Sequence, residues 1–340
     1  MLFVFSLISL CLNNTNAQDH KPTILCVAAH PDDEDGATLA YYSRLYGFDT
    51  YTVFYTRGEG GQNEIGPELY DRLGKLREQE CYDAAAIQGS SAYFLGELDF
   101  GFSKTAKETF KFWGGKDSVL ARIVYMIRAI KPDVIITNHD TITSKPNRQH
   151  GNHQAVGITI YEAFDLAADR TFHPEQFSGE IQPWQVKKLF FRDFDTTAAN
   201  DHYIIDISRQ DGTGKSIRDI SFEALGKHKT QGMDKIPLNN PFFFGNRNYT
   251  LIKSDKMYPL SGNDLFSGIS PEVNAETKNK PVPSSYDTKY TYVTLPVDDS
   301  LRILKAVKYN PAIYIGLVKT YDNTIENILN AFSIRYDTIS

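Results

Sequence analysis

"TILCVAAHPDDEDG", residues 23–36, runs from an apolar stretch straight into a histidine, a proline and a series of carboxylates at 32–35. The stretch before His30 shows no alternation of apolar and polar side chains, which is the pattern of a strand covered on both faces. Carboxylates gathered at the end of such a strand need water, a helix N-terminus or a metal cation nearby, because burying an unpaired charge costs several kcal/mol.

Working outward, strand-like and helix-like segments alternate. "TLAYYSRLYG" (38–47) reads as a helix ending at Gly47, "DTYTVFYT" (49–56) as a strand, and "ELYDRLGKLREQECYDAAAIQG" (68–89) as a long helix. "SAYFLGEL" (91–98) is strand-like, "SVLARIVYMIRAI" (118–130) is helical with Pro132 just beyond, "DVIITNH" (133–139) is another buried strand, and a further helix starts near His153. This alternation predicts a doubly wound, mostly parallel α/β sheet of Rossmann-like form, whose ligands bind beyond the carboxyl ends of the strands. "HPDDE", "TRGEGG", "GELDFG" and "NHDTITSKPNRQHGNH" each follow a strand, so four polar loops are expected to converge on one sheet edge.

Composition narrows the function classes. A net charge of -6 with no polybasic stretch argues against nucleic-acid binding, and a hydrophobic fraction of 41% is that of an ordinary globular chain. The opening "MLFVFSLISLCLNNTNAQD" reads as a signal peptide over residues 1–17, cleaved near Ala17, with an apolar run too short to span a bilayer. The protein is therefore expected to be exported, periplasmic or extracellular, with no transmembrane span after cleavage. Cys26 and Cys81 remain, one on a strand and one on a helix, and are expected as buried thiols. After the helical "FEALGKHKTQG" (222–232) the periodicity fades. The core domain is placed at 20–232, followed over 233–340 by an irregular wrapping segment and a helical tail ("SLRILKAVKYN", "TIENILNAFSIRY").

His30 and Asp33, three apart where strand turns to helix, suit a divalent ion, and a third ligand is sought among His20, His139, His150, His153, His173, His202 and His228. "HGNH" offers His150 and His153, either of which could complete a two-histidine, one-carboxylate centre with positions left open, the arrangement of a catalytic metal.

The ordered series "AAHPDDE", "TRGEGG", "LREQE", "FLGELDFG", "HGNHQAVG" and "HKTQGM" resembles the signature of the PIG-L/LmbE-like family of zinc-dependent de-N-acetylases, over roughly residues 22–232. The resemblance implies Zn2+ held by His30, Asp33 and His153, with Asp32 as general base toward the zinc-activated water and His150 stabilising the oxyanion or protonating the leaving amine. It further implies sugar contacts from Glu59, Arg77 and Asp99, and an N-acetylated amino sugar or glycoconjugate as substrate. His228 resembles a late family histidine near the site. The chain departs from the family's common "HPDH" by placing Gly151 and Asn152 between the histidines, which is expected to leave His150 less basic. The rival expectations are an Fe(II)-dependent or other metal-dependent enzyme of a non-sugar substrate and a non-catalytic glycan-binding protein.

Overall fold

The computed structural model describes residues 21–141, 149–179, 181–194, 203–255, 257–258 and 263–269. The expected signal peptide and helical tail lie outside them. Chain order runs β1 (Thr23–Ala28), α1 (Gly36–Ala40), β2 (Asp49–Phe54), α2 (Asp71–Gln88), β3 (Ser91–Phe94), α3 (Ala106–Phe112), α4 (Lys116–Ile130), β4 (Val134–Thr137), α5 (Gly151–Leu166), β5 (Lys188–Asp193), β6 (Tyr203–Ile205), α6 (Ile217–Leu225) and β7 (Arg247–Ser254).

These strands form one sheet in the order β3-β2-β1-β4-β5-β7-β6. The five from β3 to β5 are parallel, and β7 runs antiparallel to both of its neighbours. Every residue of β1 is buried, as its unbroken apolar run predicts. Its side chains divide by the period of two. Leu25 and Val27 enter a core with Ile123 and Ile127 of α4 and Val156 and Ile160 of α5. Ile24 and Cys26 enter the opposite core with Leu39 of α1 and Ile217 and Ile220 of α6. Helices thus cover both faces, and the expected doubly wound fold is observed.

Two expectations change. The helix read over 38–47 is α1 continued by a π-helical turn at Tyr41–Tyr46, stopped where Gly47 takes φ 68°. The sheet does not end with the core boundary at 232, because β7 at 247–254 inserts between β5 and β6. A run such as "RNYTLIKS" carries no helix period and little clean alternation, since β7 pairs on both edges and is only half-buried along most of its length.

The order has one decisive consequence. Neighbouring strands β1 and β4 send their chains to opposite sides of the sheet, so a crevice opens beyond their carboxyl ends. "AHPDDE" leaves β1 there, "NHD" leaves β4 there, and α5 begins beside them.

Candidate metal centre and active site

The turn after β1 is built by its own side chains. Asp33 Oδ2 accepts the backbone N–H of His30 at 2.9 Å, and the Asp33 N–H returns to the His30 carbonyl at 3.2 Å. Asp32, between them, sits at φ 79°, a left-handed conformation that Asp tolerates better than most residues. The twist separates neighbouring carboxylates, so Asp32 and Asp33 do not share one role. Two amides brace the turn from outside: Asn138, just past β4, donates to the Asp33 carbonyl at 2.7 Å, and Gln231 donates to the Pro31 carbonyl at 2.6 Å. Asp35 closes the segment as the N-cap of α1 and pairs with Arg247 of β7, which ties the turn to the antiparallel part of the sheet.

His30 Nδ1 lies 3.0 Å from Asp33 Oδ2, His153 Nε2 lies 3.1 Å from the same oxygen, and the two nitrogens are 3.3 Å apart. Three donors around a tetrahedral dication at about 2.0–2.2 Å sit about 3.3 Å from one another. The observed triangle has that size, its atoms are partly solvent-accessible, and the set of two imidazoles and one carboxylate is the donor chemistry of zinc. The chain's residues therefore fit the metal. Asp33 is held well below the usual carboxylate range: burial alone would raise it, but the charge and hydrogen bond of His153 and the hydrogen bond of His30 outweigh that.

A second grouping, Asp33 with His139 and His153, also converges. Its weakness is chemical. His139 Nε2 accepts the backbone N–H of Ala29 at 3.0 Å, so that lone pair is engaged. His139 instead stacks on His153 with ring centroids 4.2 Å apart, and burial, then the neighbouring His153, holds it well below its ordinary pKa. It is a neutral ring that packs against His153.

His150 is the N-cap residue of α5, with its ring 3.8 Å from that of His153 and 5.2 Å from that of His30. Burial, then the His153 and His30 rings, lowers its pKa to about 3. Its Nδ1 is buried and has no hydrogen-bond partner among the described residues. The "HGNH" spacing has a steric reason at Gly151, where a Cβ would collide with the Thr105 carbonyl and the Ser103 hydroxyl. Burial, then the negative charge of Asp33, pushes the Asp32 carboxyl up to about 8.

The residues expected to touch a sugar are placed differently. Arg77 is 4% exposed and donates to the Gly58 carbonyl at 2.6 Å, the Gln62 carbonyl at 2.8 Å and Thr230 Oγ1 at 3.2 Å. Asp99 spends one oxygen on the Gly60 N–H and the other on the Gly101 N–H. Glu59 is 2% exposed and accepts the Arg57 N–H. All three knit the loops after β2 and β3 together through these bonds within the protein. His228 is fully buried and pairs with Glu34 at 2.9 Å, behind the turn that carries Asp32. Phe102, which the sequence did not single out, stands 75% exposed with its ring 5.9 Å from that of His150.

Residues 25–164 match the PIG-L family, GlcNAc-PI de-N-acetylase. Among curated relatives, the 1D-myo-inositol 2-acetamido-2-deoxy-alpha-D-glucopyranoside deacetylase 1 of Catenulispora acidiphila is 32% identical over 186 residues, 49% of this chain and 54% of that protein. The corresponding deacetylase of Thermobispora bispora is 32% identical over 185 residues, 49% of this chain and 57% of that protein. The match thus spans little more than half the length of these relatives. Among solved structures, the N,N'-diacetylchitobiose deacetylase of Pyrococcus horikoshii aligns with a TM-score of 0.53 and 19% identity over 71% of this chain and 87% of that one, a likeness of fold. The matched residues run from β1 through most of α5, and so include all three candidate ligands, Asp32 and His150.

Proposed function

We propose that this protein is a metal-dependent hydrolase that removes the acetyl group from an N-acetylated amino sugar or glycoconjugate, releasing acetate and a free amine. The observation that carries the proposal is the triangle of His30 Nδ1, Asp33 Oδ2 and His153 Nε2 at 3.0–3.3 Å, flanked by one carboxylate and one imidazole that are not part of it. The names of the relatives support the N-acetylated sugar as the substrate class.

His30, Asp33 and His153 would hold Zn2+, which when bound supplies Lewis acidity toward water and an amide carbonyl. Asp32 takes the proton of the attacking water; a carboxyl whose pKa is raised toward neutrality is a stronger base than an exposed aspartate, and such a base contributes about 10²–10⁴ in rate. His150, neutral at working pH, presents a ring nitrogen to the reacting carbon's substituents. Its ring N–H stabilises the oxygen that becomes negative, and the proton that Asp32 took from the water passes to the departing nitrogen. His139 keeps the His153 ring in register, and Asn138 and Gln231 hold the turn that aims Asp32. Glu59, Arg77 and Asp99 shape the sugar side of the crevice by holding its loops, and Phe102 offers an apolar face on which a pyranose ring stacks. We also propose export through the N-terminal apolar segment, in keeping with the signal-like opening of the sequence.

The test is acetate release from zinc-loaded protein across N-acetylglucosamine, chitooligosaccharides, N-acetylglucosaminyl-inositol glycolipid head groups and peptidoglycan fragments. Release from at least one of them, and loss of release in His153→Ala together with loss of metal, is expected. Full metal occupancy in His153→Ala would remove the ligand triad.

A further inference from the structure

Beyond the carboxyl end of β5 stands an aromatic pair that the proposed reaction does not use. Phe194 follows β5 directly, and Phe242 lies in a short helix, α7 (Pro241–Phe244), just ahead of β7. Their rings stack with centroids 5.3 Å apart and planes 16° from parallel. Both stay open to solvent, at 44% and 56% exposure, although phenyl rings gain by burial. The pair is nonetheless held in place. The Arg192 guanidinium lies 4.6 Å from the centre of the Phe194 ring and donates to the Phe242 carbonyl at 3.0 Å. Its Nε stands 3.9 Å from Asp35 Oδ2. Asp35 caps α1 two residues after Asp33, so the pair is fastened to the turn that carries the candidate metal ligands.

Register gives the distance. Phe191 pairs with Thr137, and Thr137 with Val27, across β5, β4 and β1. Phe194, three residues past Phe191, therefore stands level with His30, three residues past Val27. It is displaced by two strand spacings, about 10 Å at about 4.8 Å each. That is the reach of a short oligosaccharide and not of one ring. Phe102 and α5 flank the crevice from one face of the sheet. α7 flanks it from the other, where Phe244 packs edge-on against Phe222 of α6 at 5.4 Å.

The chemistry around the pair suits a sugar. The hydrogens on the face of a pyranose carry partial positive charge and meet the electron-rich face of an aromatic ring. Amides bracket α7: Asn240 Oδ1 accepts the Phe242 N–H at 3.0 Å, and Asn246 Oδ1 accepts the Ile207 N–H at 3.3 Å. Each spends its oxygen inside the protein, and among the described residues neither amide nitrogen has a partner, which leaves donors for hydroxyl groups. Two exposed rings are too small a patch for a protein partner, whose stable interface buries about 1,200 Å² or more.

We propose that Phe194 and Phe242 form a second carbohydrate subsite. It binds a sugar ring of the substrate at a distance from the ring that carries the reacting acetamide, so that the protein prefers an N-acetylated oligosaccharide to a monosaccharide. This inference rests on the N-acetylated sugar as the substrate of the metal site.

The experiment compares kcat/KM for N-acetylglucosamine and for tetra-N-acetylchitotetraose in the zinc-loaded full chain, as wild type, F194A, F242A and F242W. Wild type is expected to favour the tetrasaccharide. The ratio of the two values should fall by about 2- to 10-fold in F194A and F242A, the worth of one aromatic contact, and be kept in F242W, which restores an aromatic face. A wild type that does not favour the tetrasaccharide, or an unchanged ratio in folded F194A and F242A, would overturn the subsite and leave the deacetylase reading intact. An unchanged ratio with a lowered melting temperature would assign the rings to packing within the chain and overturn the subsite likewise. No acetate release by wild type from any sugar would instead overturn the deacetylase reading. The subsite is then read by calorimetric titration of the same tetrasaccharide into wild type and F242A. Binding about 2- to 10-fold weaker in F242A is expected, and equal binding, or binding to neither, would overturn it.

Discussion

Replacing Asp32 by Asn separates chemistry from metal binding more cleanly than any other single change. The substitution keeps the side chain's size, and Asn is as much at home as Asp at the φ of 79° that this position requires. The Asp32 backbone N–H still donates to Glu34 at 3.1 Å, so the turn keeps its shape. The ligand triangle involves no atom of residue 32. What is lost is a carboxyl raised to about 8 by burial and by the adjacent charge of Asp33. A positioned general base contributes about 10²–10⁴ in rate, so kcat should fall by that factor, about 3–5 kcal/mol of activation free energy at about 1.4 kcal/mol per decade. Acetate release is followed under saturating substrate, with zinc measured on the same sample by elemental analysis. The expected pair of results is unchanged zinc stoichiometry and a kcat lower by at least about 100-fold. Unchanged turnover would refute the assignment of the base. Loss of zinc would show that the twist at residue 32 does not separate the two carboxylates as argued.

Three further outcomes follow from the same contacts. Arg77→Met removes three hydrogen bonds from a buried guanidinium, to the Gly58 and Gln62 carbonyls and to Thr230 Oγ1, which at about 0.5–1.5 kcal/mol each lowers unfolding stability by about 1.5–4.5 kcal/mol; a change within about 0.5 kcal/mol in urea titration would show that the loops do not depend on it. Phe102→Ala should raise KM for an N-acetylated sugar by about 2- to 10-fold, the worth of one aromatic contact, and leave KM for a small acyclic acetamide unchanged; equal effects on both would remove the stacking role. His228, though its burial works against the charged form, is raised above 6.5 by Glu34, so its pairing stabilises the fold fully below pH 6.5 and less as pH rises through its folded pKa. The melting-temperature gap between wild type and His228→Gln should shrink as pH increases above 6.5, and a gap that widens would contradict the ion pair.

The part of the fold that positions the site was legible because it is written in local patterns. The unbroken apolar run before His30, the helix periods of α2 and α4, and polar segments after successive strands place the site at the strand ends of a parallel sheet. The convergence of residues 30–33 with 150–153 followed from that topology and from the residue types. What was not legible depends on partners far away in sequence. Arg77 sits on a helix whose composition looks solvent-facing, and only the fold brings the Gly58, Gln62 and Thr230 oxygens around its guanidinium. Asn152 looks like a neighbour of His150 in the chain, yet the first turn of α5 aims it at His30. β7 was missed because a half-buried strand with antiparallel partners on both edges shows neither a continuous apolar run nor clean alternation. His139 could be found only as one histidine among several; its stacking on His153 is a property of how β4 and α5 meet.

The central claim is that His30, Asp33 and His153 hold a metal on which deacetylation depends. Its most direct test is acetate release from an N-acetylated sugar by protein stripped with a chelator and then titrated with Zn2+. The account predicts no release from stripped wild type, recovery that saturates at one zinc per chain, and no recovery in His153→Ala. Stripped protein as active as the loaded form, or recovery in His153→Ala at the same stoichiometry, would contradict it.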